Sequence, residues 1–97
     1  MATVKIRWTR LAVEDLDSAY DYLAETNPTA ARTVIARISS ALKALKAHPM
    51  IGREGRVEGT RELVIPATPF IVAYRIARAR IEILAVIHGA RRWPDDF

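Results

Sequence analysis

Two apolar stripes at helical spacing, meeting at Asn27-Pro28, limit the possible folds of this chain more than any other feature. Ala12, Leu16, Ala19, Tyr20 and Leu23 recur on one helical face. Thr9 stands ahead of them as a cap for the first N–H groups, and Glu14 and Asp15 sit near the positive end of the helix dipole. The spacing predicts a helix from Arg10 to Glu25. Asn27 is placed to cap a second helix, and Pro28 fits its first position, where no N–H is needed. Ala31, Val34, Ile35, Ile38, Leu42 and Leu45 form the second stripe, Arg32, Arg37, Lys43 and Lys46 turn to solvent, and His48-Pro49 ends it. So short a connector makes the pair an antiparallel hairpin.

The rest of the chain reads as strands that this hairpin can cover. Val4, Ile6 and Trp8 alternate with Lys5 and Arg7, the period of a half-buried strand. The stretch Gly52 to Gly59, with three glycines and four charges, is expected to be a loop and a possible contact element. Beyond it, Arg61 to Pro66, Phe70 to Ala77 and Arg80 to His88 are β-rich, with breaks too short for crossover helices. The expected fold class is α+β in the order β-α-α-β-β-β. An N-terminal strand joins a C-terminal meander in a mainly antiparallel four-stranded sheet, and the helical hairpin packs on one face. Ile71 beside Val72 and Leu84 beside Val86 make the last two strands apolar on both faces. Since the hairpin covers one face only, a partner protein is expected on the other. If Arg78-Ala79 is a two-residue turn, Arg75 stands opposite Glu82 as a cross-strand ion pair, Tyr74 faces Ile83 in the core, and Val72 faces Ala85.

At 97 residues the chain fits a single domain, 1–97, and its 51% hydrophobic content against 27% charged is that of a folded one. The absence of cysteine rules out disulfides, thiolate metal sites and a Cys nucleophile. The longest charge-free run, Leu63 to Tyr74, is 12 residues with two prolines, and a bilayer needs about 20. No apolar core of a signal peptide opens the chain, so a cytoplasmic location without membrane contact is expected. Net charge is +4, from 12 arginines and three lysines against 11 acids. Five acids and no base fall between Glu14 and Glu25, whereas Arg75, Arg78, Arg80, Arg91 and Arg92 oppose only Glu82 between Ile71 and Trp93. Such a division can orient a charged macromolecule.

Few residues offer chemistry. His48 and His88 are the only imidazoles and lack partners at ligand spacing, so neither a metal nor any other cofactor is expected. No glycine-rich phosphate cradle is present. Glu14 with Asp17 and Asp17 with Asp21 follow helical spacing and read as an exposed face rather than a catalytic pair. The tail from His88 to Pro94 presents Arg91, Arg92 and Trp93 together. Either it grips phosphates or an acidic protein surface, or it is a solvated basic end with Trp93 closing a core edge.

Four features in order give the chain a resemblance over nearly its whole length. They are the opening strand followed by Ala12-Val13-Glu14-Asp15-Leu16 and Tyr20-Asp21-Tyr22-Leu23, then Leu45 to Pro49 with Gly52, then Arg61-Glu62-Leu63 through Tyr74-Arg75-Ile76, and last Ile87-His88-Gly89-Ala90-Arg91. Together they resemble toxins of the RelE/ParE superfamily of type II toxin–antitoxin systems. The resemblance implies a toxin held inactive in a hetero-oligomer by a cognate antitoxin, which covers apolar and basic surface. It also leaves two targets to separate, since RelE-like members cleave mRNA in the ribosome and ParE-like members poison DNA gyrase.

Metal-free ribonucleases of the RelE kind use arginines for the phosphate and a side chain such as tyrosine for proton transfer. In RelE-like members one arginine sits early in the third strand, another follows the last strand and a tyrosine lies near the C-terminus. Here Arg91 matches the second, but Phe70-Ile71 occupy the first position, the terminus is Phe97, which has no hydroxyl, and lysines are sparse. The His88-Gly89-Ala90-Arg91 ending resembles the ParE side. The expected activity is gyrase inhibition by binding, with Arg91, Arg92, Trp93, Arg56 and Arg61 contacting the target. The alternatives are a ribosome-dependent endoribonuclease using Arg61, Arg75 or Arg91, and an inactive interaction module.

Overall fold

A computed structural model describes residues 4–89. The first strand, β1 (Lys5–Trp8), leads directly into helix α1 (Arg10–Thr26). Thr9 joins them. Its hydroxyl accepts from the Ala12 N–H, capping the helix, and donates at 2.8 Å to the carbonyl of Ile83, tying the helix start to the sheet. Asn27 is a complete connector in one residue. Its N–H donates to the Leu23 carbonyl to close α1, and its Oδ1 accepts from Ala30 N–H at 3.0 Å to open α2 (Pro28–Ala47), with Pro28 in the first turn. The expected stripes face the sheet through Ala12, Ala31, Ile38 and Leu45, all buried. Tyr20 departs from its stripe and stays 37% exposed.

Four further strands follow: β2 (Arg53–Glu54), β3 (Arg61–Val64), β4 (Phe70–Ala77) and β5 (Arg80–His88). The sheet order is β1-β5-β4-β3-β2. The strand count differs from the sequence reading, and the mainly antiparallel sheet it expected includes one parallel pair. The sheet has five strands rather than four, because the glycine-rich stretch contains β2, whose two residues are too few for any alternation to register. It is also mixed. The meander is antiparallel as expected, but β1 runs parallel to β5, pairing Lys5 with Arg80 and Trp8 with Ile83.

The β4–β5 hairpin turns at Arg78-Ala79 and sets Arg75 opposite Glu82 and Tyr74 opposite Ile83, as the two-residue turn requires. Past that point the register slips, and Val72 pairs with Val86 rather than Ala85. Leu84 is left without a partner in the ladder, as in a β-bulge. The slip decides which side chains meet the helices. Val86 joins Tyr74, Val72, Ile81 and Ile83 in the main core, while Ala73, Ala85 and Ile87 form a small second cluster. The helix-free face is not open at these strands, contrary to expectation. Ile71, Ala73, Leu84, Ala85 and Ile87 are each at most 8% exposed in the single chain.

Candidate functional site

The sheet end formed by β2, β3 and β4 carries Arg56 and Arg61, two of the arginines proposed from sequence, and it holds the α2–β3 connection in place. Tyr74 is fully buried, yet its hydroxyl reaches this connection, donating to the Pro49 carbonyl at 2.8 Å and accepting from Gly52 N–H at 2.9 Å. Burial pushes this hydroxyl above its usual value, which keeps it protonated and able to donate. Gly52 is required here, because a Cβ at that position would stand 2.5 Å from the Tyr74 hydroxyl oxygen. Arg61, paired with Tyr74 across β3 and β4, extends Nη1 to the carbonyls of Gly52 at 2.8 Å and Met50 at 3.3 Å.

Glu62 completes the clamp from the other side of β3. It is 3% exposed, and its carboxylate receives Arg53 Nε and Nη2 at 3.0 Å and the Arg56 backbone N–H at 2.8 Å. Gly55 N–H reaches the Thr60 carbonyl, and the Thr60 hydroxyl and N–H both reach the Val57 carbonyl. The connection is therefore a built loop. What it exposes is unusual for so ordered a segment, with Met50 63% and Ile51 47% accessible. Met50 lines a concavity of about 480 Å³ with Glu54, Gly59, Thr60, Arg61 and Ile76. Ile51 lines a separate apolar groove of about 610 Å³ with Ala41, Ala44, Leu63, Val64 and Pro66.

Arg75 stands apart from this loop. Its Nε donates to Glu82 at 2.6 Å, Arg80 approaches the same carboxylate at 3.7 Å, and Arg7 lies opposite Glu82 on β1. These guanidinium groups, Arg75 first, hold the Glu82 carboxyl below its usual range. Among the residues proposed from sequence, Arg56 and Arg61 are brought together at the clamped loop, and Arg75 belongs to the separate Glu82 cluster. Arg91, Arg92 and Trp93 lie outside the described residues. Sequence reasoning missed Met50, Ile76 and the clamping roles of Tyr74 and Glu62. The one local signal was Gly52, which reads as loop flexibility but marks a close approach.

No group of three or more His, Asp or Glu side chains among the described residues is placed to hold a metal ion. Nor is any helix of the described residues long and apolar enough to cross a membrane.

Residues 6–93 match the family of the ParE toxin of the type II toxin–antitoxin system parDE. The chain belongs to the ParE toxin family. Among its relatives, the toxin Y4kP of Sinorhizobium fredii is 45% identical over 97% of both chains. A solved ParDE toxin–antitoxin system of P. aeruginosa superposes with a TM-score of 0.78 at 30% identity, covering 89% of this chain and 96% of that one. The toxin–antitoxin complex RelBE2 of Mycobacterium tuberculosis superposes with a TM-score of 0.61 at 25% identity, covering 90% and 99%. The ParE toxin fold described here is thus common to neighbours named for both branches of the RelE/ParE superfamily, and fold alone does not choose the target.

Proposed function

We propose that this toxin arrests growth by binding DNA gyrase and trapping it on cleaved DNA, and that a cognate antitoxin neutralises it. The observation that carries the reading is how the arginines are used. A metal-free ribonuclease needs unengaged cations converging on a phosphate, with a proton donor or acceptor beside them. Arg75 is instead bound to Glu82 at 2.6 Å, and Arg61, whose Nε and Nη2 stay unengaged among the described residues, spends Nη1 on two loop carbonyls. Tyr74 is fully buried with its hydroxyl engaged as both donor and acceptor. These groups brace the fold, which favours a toxin that works by contact. Arg91, Arg92 and Trp93 belong to the target surface in this reading, together with Arg56 and Arg61.

The antitoxin partner is supported by the ParDE and RelBE2 neighbours, which are toxin–antitoxin systems. The groove beside α2, with Ile51 and Val64 about half exposed, is an apolar seat for it.

Incubating purified gyrase and plasmid with the toxin tests the target. Accumulation of cleaved complex and loss of supercoiling are expected. If neither appears, and transcript ends mapped after induction show cuts in phase with codons, the ribonuclease reading replaces this one, as the RelBE2 likeness would favour.

A further inference from the structure

The concavity beside the clamped loop combines three properties that point to an occupant. Its walls carry apolar surface exposed to solvent, Met50 at 63% and Ile76 at 39%. Arg61 lines it with half of its guanidinium unspent. Nη1 serves the Gly52 and Met50 carbonyls, while Nε and Nη2 have no hydrogen-bond partner among the described residues. Those two N–H groups lie side by side, the arrangement that takes a carboxylate bidentately. Finally, the cavity is ordered before anything binds. Tyr74 and Glu62, both buried, fix the backbone that carries Met50, so little conformational entropy remains to be lost on docking.

The rim also holds Glu54, paired with Arg61 across β2 and β3 and exposed. A nucleic-acid strand brings a negative charge with every nucleotide and no cation to meet Glu54. A protein surface can supply an acid for Arg61, a base for Glu54 and an apolar side chain between them.

Resting on the target-binding reading above, we infer that this concavity is the toxin's grip on its target. The occupant is a protein segment that places a long apolar side chain between Met50 and Ile76, a carboxylate on Arg61 Nε and Nη2, and a basic group against Glu54. Arg61 is both a contact and a support for the loop, whereas Tyr74 and Gly52 act as positioning residues. The site shares no lining residue with the apolar groove assigned to the antitoxin.

The test uses the full chain, induced in cells for growth arrest and purified for antitoxin affinity, with two variants that change three solvent-accessible residues. The double variant M50S/I76T removes the apolar walls and is expected to lower growth-arrest potency by about tenfold or more, the loss of a typical hot-spot pair. Antitoxin affinity should stay within about threefold, since its seat is elsewhere. E54K should also weaken arrest, because it repels the basic group. The same substitution would strengthen the grip if the occupant were a phosphodiester, and that outcome overturns the choice of a protein. Hydrogen exchange at the Gly52 amide should be unchanged in both M50S/I76T and E54K, so that a loosened loop is not mistaken for a lost contact. Full arrest by M50S/I76T refutes the site, and so does antitoxin affinity falling in step with arrest, or a wild-type chain that arrests nothing. If wild-type toxin leaves gyrase untouched while the variants still lose arrest, the gyrase reading fails and the site stands.

Discussion

At one end of the sheet Tyr74, Arg61 and Glu62 reach out to hold a loop; at the other, Thr9 and Asp15 hold the outer edge of β5. β1 pairs with β5 only as far as Ile83, and beyond it the Thr9 hydroxyl caps the Ile83 carbonyl while the Asp15 carboxylate accepts Val86 N–H at 3.0 Å. This second arrangement finishes a strand whose neighbour has stopped, beside core residues Ile83 and Val86. The first fixes backbone that displays Met50 and Ile51 to solvent. Polar side chains thus complete the sheet at one end and present a surface at the other.

The clamped end is most vulnerable at Gly52. A branched side chain there meets the Tyr74 ring, and G52V is expected to cost about 3 kcal/mol, a fall in Tm of roughly 15 °C followed by circular dichroism. Y74F keeps the ring but strands the Pro49 carbonyl and Gly52 N–H, and urea titration should record a loss of about 2–3 kcal/mol. Its Gly52 amide should exchange faster while the β4–β5 amides keep their protection. At the opposite end D15A orphans a single N–H, and the same titration should give about 1–2 kcal/mol. D15N should recover most of this, since an amide oxygen can still accept the bond. An equal loss in D15N would mean that the Asp15 charge, rather than its acceptor oxygen, holds the edge.

The smallest effect is the dependence on pH, and its sign differs between two acids. Burial, offset in part by the Val86 hydrogen bond, pushes the Asp15 carboxyl above its usual value of 3.8, so the folded chain holds that proton more tightly than the unfolded one. Its contribution therefore improves as pH falls through the carboxylate range. Glu82, held low by Arg75, contributes stability above its ordinary value of 4.5 and loses it as pH falls through the folded value. Urea midpoints at neutral and acid pH should show the difference between wild type and E82Q shrinking on acidification. The difference between wild type and D15N should move in wild type's favour.

Legibility in the sequence followed the range of the signals. The Asn27 junction and both helices could be read because capping is local, three or four residues at a time. The hairpin register held from Ala77 to Tyr74, within reach of the turn, and failed beyond Leu84, where packing places an extra residue. Strand β2 exists because Glu62 gathers Arg53 and the Arg56 N–H, contacts nine and six residues away with no periodic trace. The clamp was hidden for the same reason. Tyr74 could be assigned to the core from its pattern, but nothing in that pattern says that its hydroxyl leaves the core to hold a loop 22 and 25 residues earlier.

The parallel pairing of β1 with β5 also bears on how the toxin is made. Thr9 finds its sheet partner 74 residues downstream, and β5 is the strand between β1 and the rest of the sheet. On a ribosome the opening strand must wait for nearly the whole chain to be synthesised before it can dock. A message cut before codon 80 yields a polypeptide without Ile81 and Ile83, and so without the floor of its core. A chain stopped there cannot complete the sheet on which the Tyr74 clamp and its loop rest.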